Sequence, residues 1–404
     1  MFRIRELCGT SILAAALALS VPFAGAYAAR NETVLYAFKG GSDGAEPFAG
    51  LISDKAGNLY GTTQGGGSND FGTVFRLAPD GTETVLHSFE GGTDDGGVPE
   101  AGVIADYAGN LYGTTYGGGA NDFGTIFKLA PDGAETVLYF FKGGNDGAMP
   151  VAGLVRNSAH NLYGTTRNGG GSSNCTDGCG TVFKLAPDGT ETVLHAFADG
   201  SDGANPNAGV IVDAAGNIYG TTVRGGANGY GTVFKLAADG TETVLYNFCS
   251  RLNCADGTTP YSGLISDSAG NLYGTTALGG ITRGSRIGNG TIFKLATDGT
   301  ETVLYVFPGG DHGSGPSYGS LLADKAGNLY GTVGGGADGQ GIVFKLTTDG
   351  SESALHAFKG GSDGAQPEGG VIADKKGNLY GSTAFGGNDG NCTGGCGTVF
   401  EIEK

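Results

Sequence analysis

Residues 49–86 read A-G-L-I-S-D-K-A-G-N-L-Y-G-T-T-Q-G-G-G-S-N-D-F-G-T-V-F-R-L-A-P-D-G-T-E-T-V-L, and this stretch recurs with small changes along the chain. Its N-[LI]-Y-G landmark begins at Asn58, Asn110, Asn161, Asn217, Asn271, Asn328 and Asn378. G-[TI]-[VI]-F begins at Gly72, Gly124, Gly180, Gly231, Gly290, Gly341 and Gly397. E-T-V-L or its variant begins at Glu32, Glu83, Glu135, Glu191, Glu242, Glu301 and Glu352. Each landmark occurs seven times, yet the series begins with the third and ends with the second. The two ends of the array therefore complete one another.

The Asn landmarks lie 50–57 residues apart, near the blade lengths of propellers and above most helical repeats. Within the first unit, four short runs are rich in β-branched and aromatic residues: 50–53, 59–63, 73–77 and 83–89. An A-G-N turn, a Gly-rich loop, P-D-G and then S-D-G-A-x-P separate them. No mature segment carries an apolar period of 3.6, so the chain reads as all-β. Side-chain alternation in residues 33–38 sets Val34, Tyr36 and Phe38 against Leu35 and Ala37. Apolar residues on both faces suit a sheet packed between two others. One N-terminal strand, six full units and a final three-strand unit give 28 strands, or seven blades of four. The spacing predicts a seven-bladed β-propeller, closed by the N-terminal strand beside residues 397–402, which removes the free sheet edge. An open solenoid would not require complementary ends. The 82 glycines punctuate strands here and do not mark disorder.

Residues 1–28 read as a secretory signal peptide: Arg3 and Arg5, the apolar run 11–21, then Ala26-Tyr27-Ala28. That run is too short for a membrane span. Residues 29–404 then form a single propeller, expected to be a secreted or periplasmic, soluble monomer without membrane insertion. Six of the seven cysteines form local pairs, Cys175/Cys179, Cys249/Cys254 and Cys392/Cys396. An even count in an exported chain favours disulfides. Each pair is expected in a loop, which the bridge would brace. Zinc is the competing reading, but the first and last pairs fall in blades on opposite sides of the ring. Loss of Arg3, Arg5 and Glu6 with the leader moves the net charge from −17 to −18. Such a surface disfavours nucleic acid and anionic membranes as partners.

In up-and-down blades, the first-to-second and third-to-fourth turns share one face. Here those turns are short and uniform. The opposite face carries the crossings between blades and the variable loops at 64–71, 167–179, 277–289 and 385–396, so a site is expected there or in the channel mouth. Six crossings contain D-G-x-x-P, with Asp43, Asp95, Asp146, Asp202, Asp256 and Asp363; the seventh has His312 in that place. A ring of these carboxylates could hold Ca2+, although an Asx-turn explains the same pattern. No other cofactor is suggested. His87, His195 and His356 stand where four other copies have Tyr, as packed residues. Five arginines fall in loops of adjacent blades on the candidate face: Arg167, Arg224, Arg251, Arg283 and Arg286. Guanidinium groups suit carboxylate, sulfate or phosphate recognition, and Tyr116 and Tyr230 could stack on sugar rings. No nucleophile elbow, metalloprotease helix or EF-hand loop is present.

The cassette A-G-L-I-x-D-x-A-G-N-L-Y-G-T-T, followed by G-T-V-F-K-L-A-P-D-G-T-E-T-V-L, resembles the Gloeobacter/Verrucomicrobia-type (GloVer) tandem repeat over Glu32 to Lys404. The resemblance implies an exported bacterial β-propeller and no established activity. More distantly, D-x-x-G-N-L-Y is similar to turns of NHL-type, gluconolactonase-type and streptogramin-lyase propellers, which supports fold only. The expectation is a non-catalytic exported binding module with an extracellular glycan or protein ligand, foremost an anionic glycan or cell-envelope polymer. The alternative is a metal-dependent lyase or hydrolase with carboxylates at the channel mouth.

Overall fold

The computed structural model describes residues 31–280, 288–316, 318–387 and 391–404. The expected signal peptide, Arg283 and Arg286 lie outside them. Seven four-stranded antiparallel sheets follow one another as the blades of a propeller, and no α-helix occurs among the described residues. Blade 1 runs Ile52–Ser53, Leu59–Thr63, Thr73–Leu77 and Glu83–Ser88, from the channel outward. Blade 7 consists of Ile372–Ala373, Leu379–Thr383 and Thr398–Ile402, with Glu32–Ala37 as its outer strand. The closing register runs from Glu32 opposite Ile402 to Ala37 opposite Thr398. Closure by the N-terminal strand is thus as the offset predicts.

Two details differ from the sequence reading. A further pair of two-residue strands, Gly96–Gly97 and Gly117–Gly118, joins the second crossing to its neighbouring loop. In every outer strand the register also slips, as between Val34 and Tyr36. The bulge opposes two residues to one, so the alternation expected through Leu35 is interrupted.

Blades adhere through two stacked rings of phenylalanine. Phe38, which follows the outer strand of blade 7, meets Phe75 of blade 1 edge-on, with centroids 5.0 Å apart. The contact repeats around the molecule as far as Phe358 against Phe400. These rings are buried and lie in the range that favours edge-to-face pairs. The glycine of N-L-Y-G is their seat: a Cβ on Gly61 would lie 2.7 Å from Phe75 Cζ.

Nearer the axis, a second-strand hydroxyl in one blade donates to a carbonyl beside the channel strand of the next. Thr62 to Ala101 (2.9 Å), Thr114 to Ala152 and Thr165 to Ala208 begin this series, and Ser382 to Ala49 (2.8 Å) closes it. Thr275 breaks the pattern and pairs with Ser262 Oγ inside its own blade. The neighbouring segment 316–322 has one residue more than its counterparts.

All three expected disulfides form: Cys175–Cys179, Cys249–Cys254 and Cys392–Cys396. Their surroundings add core and inter-loop contacts to the expected loop bracing. Cys179 is fully buried and packs with Val182, Phe197 and Phe234 in the core between blades 3 and 4. Its carbonyl also accepts from Asn205 N–H at 2.7 Å, which fastens the crossing to the next blade. Cys254 is not in an open loop but ends the short 3-10 turn Leu252–Cys254. Its carbonyl accepts from Gly257 N–H and from Gly280 N–H, so this bridge ties the crossing to the neighbouring loop. Cys396 is likewise fully buried, packed with Phe38 and Phe75. The reason is local: the second cysteine of the first and last pairs lies one residue before G-T-V-F, where the chain enters the core. The 392–396 bridge fills a slot that two other blades fill with a ring. A Cβ on Gly40 would meet Cys392 and Cys396 Sγ, one on Gly91 would meet Phe71, and one on Gly143 would meet Phe123.

Candidate functional site

Each crossing enters the channel through an x-Pro step. Glu46, Val98, Met149, Asn205, Thr259 and Gln366 precede the proline, with φ of 53–60°. Six non-glycine residues in this region represent real backbone strain, held by neighbouring backbone bonds. Glu46 N–H donates to Cys396 O, and Gln64 N–H donates to Glu46 O. The strained step sets the residue after proline at the rim of the channel.

That column varies from copy to copy: Phe48, Glu100, Val151, Asn207, Tyr261 and Glu368, with the extra residue Tyr318 in blade 6. Phe48, Gln64, Glu100, Asn207 and Tyr318 border a central cavity of about 610 Å³, within the size range of small-molecule sites. Gln64 Nε2 donates to Glu100 Oε1 at 3.3 Å. Burial pushes the Glu100 carboxyl above its ordinary range, against the pull of Arg167 and the Gln64 hydrogen bond. Tyr318 is 53% exposed and its ring lies 5.6 Å from that of Tyr261. Its phenol is raised by burial, then by Tyr261, Glu368 and Glu100, with Arg167 opposing. Asn207 is 6% exposed, and its Oδ1 has no hydrogen-bond partner among the described residues. The cavity thus presents an unpaired buried acceptor, a planar acid–amide pair and exposed aromatic surface at one end.

The sequence candidates are distributed differently. Arg167 does not border the cavity, but its charge opposes the upward shifts of Glu100 and Tyr318. Arg224 is exposed on the strand bridge to Ala204. Arg251 does not border the cavity and forms an ion pair with Glu301 at 2.6 Å. Tyr116 is half-buried and Tyr230 exposed; neither borders the cavity. The crossing aspartates do not border it either. Asp43 accepts from Tyr36 O–H and Lys39 N–H, and Asp146 from Tyr139 O–H and Lys142 N–H. Asp95 accepts from Glu90 N–H, Asp202 from Ala198 N–H, Asp256 from Ser250 N–H and Asp363 from Lys359 N–H. Each carboxylate holds its own crossing by accepting from backbone four to six residues before it, which is a structural role but not the expected Asx-turn, whose bond runs to the N–H two residues on. His87, His195 and His356 sit beside those aspartates and pack edge-on against Phe89, Phe197 and Phe358.

Sequence reasoning passed over Phe48, Gln64, Glu100, Asn207, Tyr261, Tyr318 and Glu368. Variation in the column after the crossing proline, and the extra residue at Tyr318, were the available signals.

A model of the Gloeobacter/Verrucomicrobia repeat matches residues 21–176, 134–288 and 281–404. The chain belongs to the Gloeobacter/Verrucomicrobia repeat family. No curated protein matches it. Among solved structures, it is similar to the extracellular domain assigned to a hybrid two component system of B. thetaiotaomicron. That likeness has 10% identity and a TM-score of 0.56 over 90% of this chain and 39% of that one. Puromycin hydrolase, as its S511A mutant, is similar at 14% identity and a TM-score of 0.55, over 84% of this chain and 50% of that one. The repeat protein thus spans half or less of those chains, and the likeness is one of fold.

Proposed function

We propose that this propeller is a non-catalytic binding module whose site is the crossing-face mouth of the central channel. The observation that carries this reading is the asymmetric rim. Gln64, Glu100, Asn207 and Tyr318 border one cavity, and the charge of Arg167 acts on Glu100 and Tyr318. Planar amide, carboxylate and guanidinium groups beside exposed rings suit the vicinal hydroxyls and apolar faces of a sugar. The carboxylates of Glu100 and Glu368 weigh against a polyanion, as does the chain's net charge of −17. The ligand class is therefore an uncharged or amine-bearing glycan of one to three residues. Three disulfides support a working place outside the reducing cytoplasm.

A glycan array followed by calorimetry tests the proposal. A neutral or amino-sugar binder is expected, with affinity falling at least tenfold in both Tyr318→Ala and Arg167→Ala, two exposed positions. A binder indifferent to both substitutions, or turnover of the bound glycan, would overturn it.

A further inference from the structure

Blade 1 passes the chain to blade 2 through a crossing that departs from its counterparts. Lys39, Lys142 and Lys359 follow the phenylalanine in three crossings, whereas Glu90 occupies that position here. The crossing is also one residue longer than those three, which sets Asp94 beside Asp95. His87 Nε2 lies 3.6 Å from Asp95 Oδ2. One ligand atom from each of His87, Asp95 and Glu135 falls within 4.8 Å of the others. Glu90 and Asp94 line the same cavity of about 370 Å³. His87 Nε2 and Glu135 Oε1 are both buried and lack hydrogen-bond partners among the described residues.

The repeat supplies its own comparison. At three of the four boundaries where tyrosine replaces this histidine, the phenol reaches the crossing carboxylate directly, at 2.5 Å for Tyr36–Asp43, 2.6 Å for Tyr139–Asp146 and 2.8 Å for Tyr246–Asp256; at the fourth, Tyr305 donates to Glu352. At this boundary the imidazole stops 3.6 Å from Asp95, whereas His356 Nε2 comes within 3.1 Å of Asp363, and the gap here is bounded by a nitrogen and two carboxylates. A second cluster, Glu32, His356 and Asp363, has similar spacing, but the Lys359 charge acts on its histidine and disfavours another cation. At the boundary of blades 1 and 2 no lysine lines the cavity.

We propose that His87, Asp95 and Glu135 bind a first-row divalent transition ion, Zn2+ foremost, and so clamp blade 1 to blade 2. One imidazole and two carboxylates match this class, whereas calcium prefers oxygen alone. A tetrahedral ion with bonds of about 2.0–2.1 Å holds its ligand atoms roughly 3.4 Å apart, close to the His87–Asp95 spacing. Glu90 or water completes the shell. None of these residues borders the central cavity, so the site is independent of the channel reading.

Tag-free, chelator-treated protein titrated with ZnCl2 near neutral pH tests this. Calorimetry is expected to register an equivalent bound, and the melting temperature to rise by about 3 °C at saturation. His87→Tyr installs the side chain that the repeat carries at four other boundaries and should abolish that equivalent. Glu90→Lys, on the exposed edge of the cavity, should weaken it at least tenfold and serves alone if the first variant fails to fold. Wild-type protein that takes up no Zn2+, or a folded His87→Tyr protein with unchanged stoichiometry and thermal shift, would overturn the assignment.

Discussion

Glu83 offers the sharpest test of how the blades are held together. It starts the outer strand of blade 1, and its carboxyl is pushed up to about 7, first by burial and then by Asp43, with Lys39 opposing. Glu32, Glu135, Glu191, Glu242 and Glu301 are also raised to about 7, with burial the leading cause in each. A carboxyl raised in the folded state contributes stability that is complete below its unfolded value near 4.5. That stability is lost as pH climbs through 7. Full linkage across that interval is about 3 kcal/mol. The side chain is only half enclosed, so solvent screening reduces the contribution to about 1 kcal/mol. Glu83→Gln keeps the shape and removes the titration. Urea denaturation between pH 4.5 and 9 should find the variant and the parent alike at the acid end. At pH 8.5 the variant should be more stable by about 1 kcal/mol, or 1–2 °C in melting temperature. A difference that stays constant across this range would refute the argument, because it would mean that Glu83 does not change protonation on folding.

Three other outcomes follow from the same contacts. Arg251→Ala strands Glu301, whose side chain is fully enclosed, so stability at pH 8 should fall by about 2 kcal/mol, and by less at pH 5 where Glu301 can take up a proton; equal losses at both values would contradict the pairing. Removing the 392–396 bridge by Cys392→Ala/Cys396→Ala should cost about 2 kcal/mol in chemical denaturation, while Phe71→Ala, which removes a ring that is 40% exposed from the corresponding slot in blade 1, should cost less, about 1 kcal/mol. Deleting residues 31–37 leaves the Thr398–Ile402 strand as an open edge, and light scattering should then register concentration-dependent association; a monomeric truncated protein would argue against closure.

The sequence by itself determined the ring. Seven copies of three landmarks, offset at the termini, leave one arrangement that pairs every strand, and the structure follows it in closing the last blade with the N-terminal strand. The crossing-face assignment and the three cysteine pairings were legible for the same reason: turn residues and cysteine spacing act over a few positions. The burial of Cys179 and the contacts of Cys254 were not, because they depend on the neighbouring blade and loop. Nor was the bulge at Leu35, since register slippage depends on what the opposing strand can bury.

The site depended on tertiary contacts. Arg167, Arg224 and Arg251 read as one group by blade and loop, yet none of the three borders the central cavity, and of them Arg167 alone exerts its charge on Glu100 and Tyr318. Arg251 is drawn away by the buried carboxylate of Glu301. Likewise, the crossing aspartates read as a ring facing one opening, but each turns back to the backbone that precedes it. Glu100, Asn207 and Tyr318 are far apart in sequence and ordinary when read singly. They meet because a strained x-Pro step repeats along the crossings and closure brings the residues after it around one axis. Repetition fixes where the backbone goes, whereas side chains from different copies become neighbours only when the ring is shut.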